Sequence, residues 1–177
     1  MKIYVISLNA SHGREISNFF IENRITNKYF YDYENLSLGY KSEDIEGVNS
    51  YFDYIYDDYD AFVEFPISFC FQHAYEKDSS SKFIYLNMDK LEWIEKMKDL
   101  FLKYPSPNIY VFEEFFCNHY IKTDKKKMLD LTDNELSQIY DAHLLAVDTF
   151  FENNENFLKL EGNDLQFLDK IKDFLNI

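Results

Sequence analysis

The chain has 177 residues, of which 46% are hydrophobic and 19% aromatic. This is enough apolar material for one domain with a buried core, and it argues against disorder. The net charge of -14 repels nucleic acids and anionic membranes, so neither is expected as a partner. No apolar run is long enough to span a membrane and no secretory leader opens the sequence, so we expect a cytoplasmic protein.

Strand and helix patterns alternate along the chain. The apolar run at 2–8 predicts a buried strand, and helical spacing of the next apolar residues predicts a helix at about 14–24. The same reasoning predicts, in chain order, a strand at 28–31, a surface helix within 42–58, a strand at 61–65 stopped by Pro66 with a helix behind it, a strand at 82–86, helices at about 89–103, 108–122 and from 132, a strand at 157–160 and a last helix from Asp164. This alternation predicts a single three-layer α/β/α domain over residues 1–177 with a mostly parallel sheet.

Ligands of open parallel sheets bind at the carboxyl ends of the strands, which directs attention to three turns. The first is the loop at 9–14, where backbone N–H groups at a helix start suit a phosphate or sulfate. Its basic residues are His12 and Arg14. A bound anion would offset the unfavourable position of Arg14 at a helix N-terminus, and the alternative is an arginine exposed to solvent.

The second and third turns follow Glu64 and Leu86. Glu64 ends an apolar strand, where its carboxylate could accept a proton from a substrate hydroxyl. The alternative is a glutamate that caps a helix or forms an ion pair. In the third turn, Asp89 as a helix N-cap and Lys96 as a solvated charge are the alternatives to roles in binding.

The histidines and cysteines show no pattern of a metal site or a redox site. His143 lies on the apolar face of a predicted helix, where a core histidine with one hydrogen bond is the common outcome. Cys70 and Cys117 lie in aromatic stretches and are expected as buried thiols. His73 and His119 lack metal-ligand spacing, so no metal is expected.

Four segments together resemble a known family. They are ISLNASHGR at 6–14, YDAFVEFP at 59–66, SKFIYLNMDKLEW at 81–93, and the stretch from YDAH at 140–143 through the last strand and helix. They are similar, in the same order, to the donor-binding loop GLP(K/R)TGTT, a segment ending in DxP at the acceptor site, the motif SKFILTxRDPxxW and the YxxH helix of small sulfotransferases that use the nucleotide sulfate donor PAPS.

The resemblance implies a P-loop-like sulfotransferase architecture and transfer of a sulfuryl group from PAPS to a hydroxyl acceptor, such as a carbohydrate. It implies that the donor is held by Ser11, His12, Gly13, Arg14, Asp89 and Lys96. Glu64 is expected to be the catalytic base, and His12 is a further catalytic candidate. The sequence departs from the family pattern at Ala10 and Met88, which stand where the family has cations that hold the donor.

Three alternatives stay open from the sequence. The first is a family relative that binds a ligand without turning it over. It is suggested by Ala10 and Met88, because fixed cations stabilise a leaving phosphate and these two residues carry no charge. The net charge and the tyrosines among carboxylates at 51–60 allow an acidic protein that neutralises a basic protein partner, as immunity proteins do. The opening strand also occurs in some glycosyltransferases, which the later segments fit poorly.

Overall fold

The computed structural model describes residues 1–8, 10–29, 44–103, 110–125 and 127–177, without the side chains of 101, 103 and 110–114. Over these ranges the chain forms five strands: β1 Ile3–Val5, β2 Asn27–Tyr29, β3 Ala61–Val63, β4 Lys82–Asn87 and β5 Phe157–Glu161. The same ranges contain seven α-helices: α1 Gly13–Glu22, α2 Ile45–Ile55, α3 Ile67–Lys77, α4 Lys90–Lys103, α5 Tyr110–Tyr120, α6 Asp133–Phe150 and α7 Phe167–Leu175. None of the described helices is long and apolar enough to cross a bilayer.

The five strands form one sheet in the order β2-β3-β1-β4-β5, and every pair in it is parallel. β1 lies in the centre, where Val5 is in register with Val63 of β3 and Ile84 of β4. The prediction of an α/β fold with a mostly parallel sheet is therefore confirmed. Parallel strands are buried on both faces, which explains why β1, β3 and β4 are short apolar runs.

Alternate side chains of the strands pack against two layers of helices. Tyr4, Phe62 and Phe83 face the larger core, which includes buried residues of α2 to α6. Val5 and Val63 face the other core, which contains residues of α1 and α7. The chain therefore leaves β1 towards one face of the sheet and leaves the adjacent strand β3 towards the other. Such a reversal opens a crevice at the carboxyl ends of the two strands.

Most predicted elements appear with shifted ends. The last helix begins at Phe167 rather than Asp164. Asp164 forms a turn before it, since its Oδ1 accepts from the backbone N–H of Gln166 (2.9 Å) and its carbonyl oxygen accepts from that of Phe167 (3.1 Å). The strand predicted at 28–31 is observed as Asn27–Tyr29, and its last two positions lie outside the described residues. Asn9 of the first loop and the predicted helix end at 104–107 also lie outside them.

His143 is a core histidine, as predicted, and it makes two hydrogen bonds rather than the one expected. Its Nε2 lies 3.0 Å from the carbonyl oxygen of Ile6, which can only accept, so Nε2 carries the proton. Nδ1 therefore accepts from the hydroxyl of Tyr120 at 2.7 Å. Burial lowers the pKa of His143 from its ordinary 6.5 to about 3. A neutral imidazole thus joins α5 and α6 to the end of β1.

We expect His143→Ala to lower the free energy of unfolding by about 3 kcal/mol at neutral pH, because it opens a cavity and leaves two buried polar groups without partners. Tyr120→Phe is the matched control and should cost about 1 kcal/mol. Urea denaturation measures both. Because the pKa of His143 is depressed, its contribution is present above pH 6.5 and is lost as the pH falls towards 3. A variant without His143 that loses stability as steeply as the wild type over this range would contradict the assignment.

The two cysteines are also buried as predicted. Cys70 and Cys117 are at most 2% exposed and, both being among the described residues, they form no disulfide with each other. Burial raises the pKa of the Cys70 thiol far above its ordinary value, so this thiol stays protonated. Its Sγ lies 3.3 Å from the carbonyl oxygen of Pro66, to which it donates. The thiol therefore serves packing at the start of α3.

Candidate functional site

The first loop and Glu64 meet at the crevice between β1 and β3. Glu64 follows β3 directly, and its backbone N–H donates to the carbonyl of Val5 at 2.9 Å, which extends the pairing of the two strands by one residue. The loop leaves β1 beside it and enters α1 at Gly13. The predicted convergence of the first two turns is therefore present in the backbone.

The Glu64 side chain points into the loop. Its Oε1 accepts hydrogen bonds from the backbone N–H groups of Ser11 (3.1 Å) and Gly13 (3.2 Å), and the residue is fully buried. The other oxygen, Oε2, is also buried and has no hydrogen-bond partner among the described residues. We call the two N–H groups of Ser11 and Gly13 the amide cradle. An acidic side chain thus occupies the N-terminus of α1, where the helix dipole favours negative charge.

Burial dominates the ionisation of Glu64. It raises the pKa of the carboxyl from 4.5 to about 8, although the backbone N–H groups of Ser11, Gly13 and Ala10 favour the charged form. The negative charge of Glu15 on the first turn of α1 raises the pKa further. Glu64 is therefore mostly protonated at neutral pH, and a role as catalytic base requires that it first lose this proton.

Gly13 is required by close packing. A Cβ atom at this position would lie 2.5 Å from both Cδ and Oε1 of Glu64, and 2.7 Å from Cε2 of Tyr29. These distances are well inside van der Waals contact, so any larger residue would force the carboxyl or the ring to move. Glycine at position 13 is thus what allows the Glu64 carboxyl to reach the amide cradle.

Backbone strain is concentrated at the same place. Ala10, His12 and Glu64 all have positive φ angles, of 71°, 64° and 63°. Residues other than glycine rarely adopt this region, and each instance costs roughly 1–3 kcal/mol. The loop and the end of β3 are therefore held in conformations that the surrounding structure must impose, as is common at binding sites.

A small cavity of about 130 Å³ opens on the solvent side of the loop. It is lined by Ala10, His12, Gly13, Arg14, Glu15, Tyr29 and Lys96. The structure thus brings together four of the residues that the sequence predicts at the donor: His12, Gly13, Arg14 and Lys96. The His12 ring lies 3.6 Å from Glu15 of the same lining, and Lys96 pairs at 2.8 Å with Glu92, which lies outside the lining. Three basic side chains around one opening favour a negatively charged ligand.

The other predicted donor residues lie differently. Ser11 is 2% exposed and takes part through its backbone N–H. Asp89 caps α4, since its Oδ1 accepts from the backbone N–H groups of Leu91 (2.9 Å) and Glu92 (3.1 Å). It lines a different cavity of about 370 Å³ beyond the ends of β4 and β5. Asp89 thus lies apart from the first loop, and its role in donor binding stays a prediction.

The sequence reasoning missed Tyr29 and Glu15 as part of the site. Glu15 sits one helical turn from His12, so spacing alone could have indicated it. Tyr29 ends β2, and β2 borders β3 at the edge of the sheet. The chain order of the strands does not reveal this neighbour, so nothing in the local pattern placed Tyr29 beside Gly13. Within the described ranges, no group of three or more His, Cys, Asp or Glu is positioned to hold a metal ion.

Comparison with known protein families identifies a family to which most of the chain is similar. The model of the family described as sulfotransferase domain matches residues 21–164, which is most of the chain. The matched range starts inside α1, so β1 and the first loop precede it. It includes β3 with Glu64, β4 and the helix that carries Lys96. No curated protein matches the chain. With its parallel sheet and its family match, the chain belongs to the sulfotransferase domain family.

Proposed function

We propose that this protein, acting as a single domain over residues 1–177, transfers a sulfuryl group from PAPS to a hydroxyl acceptor. The family match supports a nucleotide sulfate donor in general terms. The observation that carries the proposal is the convergence of the amide cradle with the basic side chains of His12, Arg14 and Lys96 around one cavity. This cavity lies at the crevice between the carboxyl ends of β1 and β3. Phosphate and sulfate groups bind at helix N-termini of this kind.

The cavity matches the reacting part of such a donor. A volume of about 130 Å³ suits one phosphate or sulfate group, whereas a whole drug-sized ligand needs about 300 Å³ or more. The nucleoside would therefore lie outside this cavity, with its phosphosulfate against the loop. Arg14 and Lys96 would supply the positive charge that the loop lacks at Ala10.

The proposed reaction is a direct transfer. The acceptor oxygen attacks the sulfur and forms a new O–S bond, while the bond from sulfur to the 5′-phosphate oxygen breaks. Adenosine 3′,5′-bisphosphate leaves with the electron pair of that bond, and the nearby cations stabilise its developing charge. Glu64 can take the acceptor proton only in its ionised form, and where Glu64 is protonated the proton goes to His12, the further candidate at the cavity.

A second candidate is a protein that binds the donor without turning it over. It is favoured by the residues Ala10 and Met88, which stand where the family has two cations that hold the donor. Ala10 has no charge to offer at the loop, and Met88 is 2% exposed, so its side chain belongs to the core. Cations at a leaving phosphate commonly supply several kcal/mol of the rate acceleration. Binding of the bisphosphate without any transfer of sulfate to acceptors would select this candidate.

Neutralisation of a basic protein partner, another alternative from the sequence, gains no support from α2. In the acidic segment that suggested it, Tyr51 is buried in the core, so it cannot contact a partner. Asp53 is paired within the chain, with His73 at 3.0 Å and Lys77 at 2.6 Å. Part of the negative charge at this surface is thus balanced by the protein itself.

Titration calorimetry with adenosine 3′,5′-bisphosphate tests the proposal. We expect saturable binding at pH 7, weakened about tenfold or more by Lys96→Met, because this change removes one of the cations that line the cavity. Lys98→Met is the matched control, since Lys98 lies on the same helix and is also paired, with Asp133, but is not among the residues that line the cavity. It should bind within about twofold of the wild type. The absence of both heat and thermal shift at millimolar bisphosphate would exclude the proposed donor.

A further inference from the structure

We propose that the amide cradle is an anion site already filled by the protein's own Glu64 carboxyl, so that an external phosphate or sulfate binds there only when Glu64 is protonated and proton uptake accompanies binding wherever this carboxyl is ionised beforehand. This inference deepens the proposed function and rests on it for the identity of the nucleotide ligand. It makes occupancy of the donor site depend on pH through a single buried residue.

The first step is the likeness between the bound carboxyl and an external anion. One oxygen of Glu64 accepts from two backbone N–H groups at the N-terminus of the ten-residue helix α1. Phosphate and sulfate oxygens use the same groups and the same helix dipole when they bind to such loops. The side chain thus makes the contacts that the donor's phosphosulfate would make.

The second step is the shortage of space. The carboxyl approaches so closely that even one added methyl group on Gly13 would lie 2.5 Å from it. A phosphate oxygen that reached the same N–H groups would therefore be in contact with Glu64 or would displace it. In either case two negative charges would meet within a few ångströms in a water-poor environment, which is strongly unfavourable. Protonation of Glu64 removes this repulsion.

The third step is the unpartnered oxygen. Oε2 is fully enclosed and accepts no hydrogen bond among the described residues, so a proton can sit there without the loss of either bond at Oε1. This arrangement differs from an ordinary helix cap, whose carboxylate is exposed and ionised. If the anion displaces the side chain, a neutral Glu64 can also donate its proton to an anion oxygen, which turns a repulsive contact into an attractive one.

Other titratable groups surround the site, and the test must separate them from Glu64. His12, Arg14 and Glu15 come from the loop and α1, Tyr29 from β2 and Lys96 from α4. The ordinary pKa values of arginine, tyrosine and lysine lie above the range from pH 7.5 to pH 9, and those of histidine and glutamate lie below it. The pKa of Glu64, at about 8, falls inside this range. Proton uptake should therefore be partial at pH 7.5 and approach one proton at pH 9.

The experiment measures binding of adenosine 3′,5′-bisphosphate and, separately, of inorganic sulfate to the whole chain at pH 7.5 and pH 9. Each titration is run in two buffers with different heats of ionisation, so that the number of protons taken up is obtained directly. For the wild type we expect uptake that approaches one proton at pH 9 and an affinity that falls towards tenfold per pH unit above pH 8. Glu64→Gln should bind with no proton uptake and with nearly constant affinity.

Glu15→Gln is the matched control. It removes a carboxylate that lines the same cavity but is 56% exposed and makes no hydrogen bond to the cradle among the described contacts. This variant should keep both the proton uptake and the fall in affinity. If Glu64→Gln does not fold, as judged by circular dichroism, His12→Gln joins the comparison. Uptake at pH 9 that persists in both Glu15→Gln and His12→Gln supports Glu64 as its source, whereas uptake that is lost with His12 overturns the inference.

The outcomes separate the two proposals. Binding of the bisphosphate by the wild type without proton uptake, or with uptake that persists in Glu64→Gln, overturns the inference and leaves the proposed function standing. Sulfate binding with uptake, combined with no bisphosphate binding, overturns the nucleotide donor and leaves the inference standing. If neither ligand binds to the wild type or to Glu64→Gln, both proposals fail.

Discussion

Glu64→Gln is expected to flatten the pH dependence of the free energy of unfolding between pH 5 and pH 8. In the wild type the folded state holds a proton on Glu64 up to about pH 8, whereas the unfolded chain releases it near 4.5. Folding is then accompanied by proton binding over this window, so stability falls by about 1.4 kcal/mol per pH unit. The contribution is fully present below pH 4.5 and is lost as the pH rises towards 8.

Urea denaturation at pH 5, 7 and 8.5 measures this effect. The difference in unfolding free energy between Glu64→Gln and the wild type should shift in favour of the variant by about 3 kcal/mol from pH 5 to pH 8. The comparison uses the change with pH, because glutamine also buries an amide N–H₂ group whose cost is the same at every pH. Glu15→Gln, at an exposed position on α1, should keep the pH-dependent loss of the wild type, displaced to slightly lower pH because the charge of Glu15 contributes to the raised pKa of Glu64.

Parallel curves for Glu64→Gln and the wild type would mean that the carboxyl is ionised in the folded protein. The amide cradle would then hold a carboxylate anion at a low pKa, as ordinary N-caps do. In that case Glu64 would be available as a base at neutral pH, but its charge would oppose donor binding more strongly. The stability measurement therefore also determines whether Glu64 is protonated or ionised in the protein before a ligand binds.

The sheet was predictable because its signals are local. Apolar runs such as Ile3–Val5 and Ala61–Val63 follow from burial on both faces, and their alternation with helical spacing implies parallel pairing. The position of Glu64 next to the first loop was predictable from the same rule, since both follow carboxyl ends of strands. The capping of α4 by Asp89 was one of the two outcomes that its position allowed.

The inward direction of the Glu64 side chain was not predictable. It depends on the positive φ of Glu64 and on the space left by the missing side chain of Gly13. The two residues are joined by a hydrogen bond, although they are 51 positions apart in the sequence. Tyr29 reaches Gly13 only because β2 pairs with β3, and the second bond of His143 comes from Tyr120 on a different helix. These features arise from contacts between distant segments, which the spacing of residues within one segment does not encode.

Gly13→Ala is expected to damage both the fold and the site. The added methyl group would overlap the Glu64 carboxyl and the ring of Tyr29, and such overpacking costs about 2 kcal/mol in a buried location. The displaced carboxyl would also leave the amide cradle while the methyl group blocks it. We therefore expect bisphosphate or sulfate affinity to fall by about tenfold or more, in addition to the loss of stability.

A double-mutant cycle with Glu64→Ala tests the cause. Glu64→Ala removes the Cδ and Oε1 atoms that the new methyl group would meet, so Gly13→Ala should cost at least about 1 kcal/mol less in that background. Gly162→Ala is the control, because its nearest neighbour is a backbone oxygen of Asn87 at 3.2 Å, remote from Glu64. Its effect should be independent of Glu64→Ala. Strict additivity of Gly13→Ala and Glu64→Ala would show that the methyl group acts through Tyr29 or the backbone. The close contact between the Glu64 carboxyl and the loop would then not account for the cost of Gly13→Ala.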